Sequence, residues 1–88
     1  MEQSKIIKQI KSVFPEAVYI KAEDYLGEDD MMKIDEKLSI SWMPQDESLE
    51  SDIYKADSHF NVCREVDSVY LFTSHSNLLE AIVKAEGK

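Results

Sequence analysis

Few residues in this 88-residue chain break or brace the backbone: two glycines, two prolines and a single cysteine, Cys63. So little glycine and proline excludes a low-complexity or linker-rich chain. One cysteine excludes an intramolecular disulfide and points to a reducing, cytoplasmic setting. Long apolar runs are missing too. Nothing approaches the roughly 20 residues that span a bilayer. The opening stretch MEQSKIIKQIKSVF has no continuous apolar segment of the kind a secretory signal needs. Internal repeats and domain boundaries are also absent, so the sequence predicts one domain over residues 1–88.

What the chain has instead is acid, unevenly placed. Residues 23–67 hold fourteen Asp/Glu against four Lys/Arg, a local charge of −10. Residues 1–22 carry +2 and residues 68–88 balance at zero, which leaves the whole chain at −8. This charge disfavours direct contact with nucleic acid, whose phosphates repel it, and with anionic membranes. Apolar residues still make up 43% of the chain, too many for a disordered acidic tail.

Residues 3–14 predict an amphipathic helix. Ile6, Ile7, Ile10, Val13 and Phe14 share one face, Lys5, Lys8 and Lys11 lie off it, and Pro15 ends it. Residues 17–22 alternate as a strand. Gly27 marks a turn, after which Asp29 or Asp30 is placed to cap a short helical turn carrying Met31, Met32 and Ile34. Residues 38–43 predict a half-buried strand with Leu38, Ile40 and Trp42 on one side, closed by Pro44. The stretch 46–63 fits two periods; a helix over 48–58 and a short strand over 59–63 satisfy most of it. Residues 68–73, SVYLFT, read as the best strand and as a central one, being continuous, β-branched and aromatic. Ser76 or Asn77 caps a last helix that buries Leu78, Leu79, Ile82 and Val83, with Gly87 at its end. The expected fold is α+β: a small two-layer sandwich, a three- to four-stranded sheet with N- and C-terminal helices packed on it.

The acidic block is the first candidate site. In a helix over 48–58, Asp46, Glu50 and Asp57 project within about 40° of one another. Carboxylates roughly 6–7 Å apart resemble the gaps between successive phosphates on a nucleic-acid strand. Such a surface can occupy a groove built for DNA or RNA. The plainer reading is a solvated face that keeps the chain soluble. Glu28, Asp29, Asp30, Asp46, Glu47, Glu50, Asp52 and Asp57 would form the acidic rim of a protein interface. Met31, Met32, Trp42 and Tyr54 would supply its apolar anchor. Against this, Trp42 shares its strand face with Leu38 and Ile40, which suits a core position.

Other constellations carry less. EDYLGEDD, residues 23–30, fails as a calcium loop, because Leu26 or Tyr25 falls where an oxygen ligand is needed. His59, Cys63 and His75 form H-x3-C-x11-H, without the paired short spacings of a zinc site or a glycine-rich oxyanion loop. No metal, cofactor or catalytic residue is assigned.

Two short stretches resemble known families. DESLES, residues 46–51, resembles the Asp-Ser-Leu motif of acyl carrier proteins, which implies a serine, here Ser48, carrying a phosphopantetheine arm. The chain departs from that motif, with Glu47 before the serine, and the strands expected over 38–43 and 68–73 depart from the all-helical carrier fold. Ser4-Lys5-Ile6-Ile7 and Glu50-Ser51-Asp52-Ile53 look like pieces of phage-encoded uracil-DNA glycosylase inhibitors, while the helix expected over 77–86 departs from them. That likeness implies a class: a small acidic decoy aimed at a basic enzyme. Bacterial toxin-immunity proteins belong to the same physical class.

The sequence therefore predicts a non-catalytic acidic protein that inhibits or masks a basic, nucleic-acid-binding partner by mimicking nucleic acid. The first alternative is a protein–protein adaptor that uses a hydrophobic patch and carries charge for solubility. The second is a small carrier or thiol enzyme centred on Ser48 or Cys63.

Overall fold

A computed structural model describes residues 3–27, 29–43 and 59–87. Helix α1 (Gln3–Val13) is followed by strands β1 (Val18–Ile20), β2 (Asp30–Asp35), β3 (Leu38–Trp42), β4 (Phe60–Val66) and β5 (Val69–His75), then helix α2 (Leu78–Ala85). A single 3₁₀ turn, Ala22–Asp24, joins β1 to β2. The fold is α+β, with a five-stranded antiparallel sheet in the order β1-β2-β3-β4-β5.

Strand register separates the two faces of the sheet. Met32, Ile40, Val62 and Thr73 stand side by side across β2 to β5, as do Trp42, Phe60 and His75 across β3 to β5. These rows point to the helices. Ile6 and Ile10 of α1 and Leu78, Ala81, Ile82 and Ala85 of α2 close over Met32, Leu38, Ile40, Trp42, Phe60 and Val62 in one core. The other face carries Val18, Lys33, Ser39, Cys63 and Phe72 in one row and Ile20, Met31, Ser41, Asn61 and Ser74 in the next. Among the described residues no helix covers it.

Local chemistry fixes the ends of the elements. Asn77 caps α2 by accepting the Glu80 amide at 2.9 Å, as its residue type predicts. Gly87, at φ +79°, stops the helix. Arg64 projects to the helix side, and its Nη2 donates to the Ala85 carbonyl at 2.6 Å and the Lys84 carbonyl at 3.3 Å. That guanidinium satisfies carbonyls the last turn leaves open and meets the negative end of the helix dipole. The β4–β5 hairpin turns on two residues, Asp67 and Ser68, both at positive φ as a type I′ turn requires.

The structure corrects several expectations. Residues 30–35 are a strand, not a capped helical turn. Met32 and Ile34 alternate toward the core, and pairing on both sides, with β1 and β3, satisfies more backbone groups than one isolated turn could. The sheet has five strands rather than three or four. The strand expected over 68–73 is real but lies at the edge, because an antiparallel meander leaves its last strand outermost. Leu79 and Val83 are exposed rather than buried, since α2 turns Ala81 and Ala85 inward beside Leu78 and Ile82. The helix expected over 48–58 lies outside the described residues.

Candidate functional site

The end of the sheet that holds Asp30, Trp42, Phe60 and His75 is organised around one buried carboxylate. Asp30 is 4% exposed. Its Oδ1 accepts the Ala22 amide at 2.8 Å, and its Oδ2 accepts the Tyr19 phenol at 3.1 Å. The Gln3 side-chain amide donates to both Oδ2 and the Tyr19 oxygen. Asp30 thus ties the start of α1, the edge strand β1 and the 3₁₀ turn to β2. Burial, then the bond to Asp30 and its charge, push the Tyr19 phenol up to about 12. The Tyr19 ring stacks on Trp42 with centroids 6.3 Å apart.

Beyond Asp30 the chain presents acid and exposed apolar side chains together. Glu23 and Asp24 are exposed in the 3₁₀ turn. Leu26 follows, 96% exposed and at φ 56°, a conformation a leucine rarely adopts. Two features hold this loop. The Tyr25 hydroxyl donates to the Asp29 carbonyl, and the Tyr25 ring lies across Gly27, where a Cβ would come within 2.0 Å of it. Burial of the phenol and the nearby Asp29 charge raise the Tyr25 pKa. Met43, 57% exposed, stands at the same end where β3 finishes. Strand β3 ends at Trp42 and β4 begins at its register partner Phe60, both at this end of the sheet. Asp35, Glu36, Glu65 and Asp67 lie at the opposite end, about 17 Å away along β2, among Lys33, Lys37 and Arg64.

Three residues expected to meet a partner belong instead to the interior. Met32 is 0% and Trp42 3% exposed, both packed in the core, and Asp30 spends its carboxylate on internal donors. Met31 is half-buried on the open face, opposite Ser41. Asp29 is half-buried beside Tyr25. Glu28, Asp46, Glu47, Glu50, Asp52, Tyr54 and Asp57 lie outside the described residues. Met43 is legible in the sequence as a neighbour of Trp42 in the apolar anchor, whereas Tyr25 and Leu26 register there only as misfits in a calcium loop. The signal available for Leu26 was a lone leucine before Gly27 in an otherwise acidic loop.

Cys63 and His75 do not pair. Cys63 projects from the open face while His75 projects from the helix face, so the sheet separates them. Burial and Glu65 raise the Cys63 pKa, opposite to what a reactive cysteine needs. No metal-binding cluster of His, Cys, Asp and Glu occurs among the described residues. No helix among them is long and apolar enough to cross a membrane.

A second surface lies along β5. Val69, Tyr70, Leu71 and Phe72 are each 51–70% exposed on this strand, which is outermost in the sheet among the described residues. Leu79 and Val83 of α2 overhang it and, with His75, Glu80 and Lys84, line a shallow groove. No protein-family model matches the chain, and no curated protein or solved structure is significantly similar to it.

Proposed function

We propose that the chain is a non-catalytic acidic protein that binds and masks a basic partner through the end of the sheet bearing Glu23, Asp24 and Leu26. Leu26 carries the reading. A leucine 96% exposed in a left-handed backbone conformation is unfavourable twice over, in solvation and in sterics. A partner that buries it recovers the first cost. With Tyr25 next to it in the chain, Met43 at the same end of the sheet and Glu23 and Asp24 exposed in the preceding turn, this end has the make-up of an interface: apolar anchors with a charged rim. The charge supplies steering toward a cationic surface, and a nucleic-acid-binding enzyme offers the widest cationic groove.

The test is affinity capture by the tagged chain, eluted in a salt gradient and competed by DNA or RNA. One basic protein should be released at moderate to high salt. Glu23→Lys with Asp24→Lys should slow its association several-fold at low salt, with the difference closing as salt rises. Leu26→Ser should speed dissociation instead. Binding indifferent to both changes would refute the proposal.

The second reading is an adaptor that docks by an apolar patch, favoured by the exposed side chains of β5. It predicts capture that resists salt and is lost in Phe72→Lys.

A further inference from the structure

We infer that β5 is a self-association edge: two copies of this chain pair their β5 strands antiparallel about a two-fold axis at Phe72 and form one continuous ten-stranded sheet. The inference does not depend on the acidic end, which lies on a different surface.

Edge strands normally carry devices that stop them pairing, such as shortness, lysine, proline or a bulge. The other edge, β1, is only three residues long. β5 has seven residues, no proline, no charged residue apart from the titratable His75, and an unbroken register with β4. Its apolar side chains are exposed on both faces. Leu71 and Val69 point to the helix side, and Tyr70 and Phe72 to the open side.

The backbone selects the register. A two-residue hairpin makes Val66 and Val69 a hydrogen-bonded pair, and such pairs alternate along an antiparallel ladder. Residues 69, 71, 73 and 75 therefore bond to β4. Tyr70, Phe72 and Ser74 turn their N–H and C=O groups to the free edge. These three positions are symmetric about Phe72. A two-fold axis there sets Phe72 against Phe72 of the second copy and Tyr70 against Ser74 of the second copy. Every outward group finds a partner, six hydrogen bonds in all by that alternation.

The side chains agree with this register. On the helix side, Val69 of the second copy falls beside His75, and its Leu71 beside Thr73, next to the overhanging Leu79 and Val83, which are 71% and 51% exposed. Charge agrees as well. Two copies at −8 repel each other, yet residues 68–79 contain no Asp, Glu, Lys or Arg, so they can meet here with least repulsion. Val69, Tyr70, Leu71, Phe72, Leu79 and Val83 together expose roughly 600 Å² per copy, the ceiling on the side-chain area that pairing can cover.

Sedimentation velocity over about 1–200 µM, with multi-angle light scattering, tests the pairing. The wild-type chain of 10.1 kDa should move to twice that mass as concentration rises. Phe72→Lys and, separately, Ser74→Pro should return it to monomer. Ser74→Pro removes an edge donor and the Ser74–Asn61 side-chain bond at 2.6 Å, but no backbone bond to β4. Unchanged far-ultraviolet circular dichroism and Trp42 fluorescence will show that both variants fold. In a Cys63→Ala background, Phe72→Cys should form an intermolecular disulfide and Tyr70→Cys should not, because only residue 72 faces itself. A monomer throughout the concentration range overturns the inference. So does a dimer that survives both edge variants, or one in which residue 70 cross-links and residue 72 does not.

Discussion

Replacing Asp30 by asparagine separates a structural carboxylate from a partner-binding one. Asparagine has nearly the same shape, so the change removes charge and one acceptor without opening a cavity. The carboxylate accepts from the Ala22 amide on one oxygen and from Tyr19 and Gln3 on the other. The asparagine oxygen can fill only one of the two oxygen sites, and its NH2 then points a donor at whatever donates to the other. One or two charge-assisted bonds are lost, at about 1.5–2 kcal/mol each. The expected cost is about 3 kcal/mol, from a stability of about 4–13 kcal/mol for a domain of this length. With a urea m-value of about 1 kcal/mol/M, the midpoint should fall by about 2–3 M. Trp42 is the assay. It is the only tryptophan, 3% exposed, the register partner of Asp30 and stacked on Tyr19. Glu23→Gln, on the exposed turn, should move the midpoint by no more than about 0.5 kcal/mol equivalent. An Asp30→Asn midpoint within about 0.5 M of wild type would refute the role assigned to the network.

Tyr19 ties stability to alkaline pH. Its phenol is raised from 10.0 to about 12 in the fold, so the neutral form is the one the fold favours. Its contribution is whole below pH 10 and drains away as pH climbs from 10 to about 12. Denaturation midpoints taken across that window should fall less steeply for Tyr19→Phe than for wild type. Arg64→Met should cost about 1–2 kcal/mol by removing the donor to the Lys84 and Ala85 carbonyls at the end of α2, read by urea melts. Ser68 sits at φ 67°, so Ser68→Gly should stabilise the β4–β5 hairpin by about 0.5–1 kcal/mol, read as a rise of a few degrees in Tm.

Much of the architecture was legible before any coordinates. The isoleucines of α1, the alternation over Leu38–Trp42, the Asn77 cap and the glycine at 87 each carry their own local physics. Where local pattern was ambiguous, it misled. Met31-Met32 after two aspartates reads as the start of a helix, and only the presence of β1 and β3 on either side makes it a strand. The site was legible in charge but not in geometry. The acidic stretch is plain in the sequence, yet Asp30 within it faces inward while Glu23 and Asp24 face out, a division made by the register of β2 and the 3₁₀ turn.

The sequence by itself determined that this is an α+β chain with a charge block, because helix period, strand period and net charge are properties of neighbouring residues. Tertiary structure alone decided which carboxylate is spent on the fold, that Leu26 stands in solvent, and that VYLFTSH is an edge. Burial and strand order depend on residues distant in the chain. An uncharged, aromatic strand looks the same in sequence whether it lies between two neighbours or, as β5 does among the described residues, at the end of the strand order.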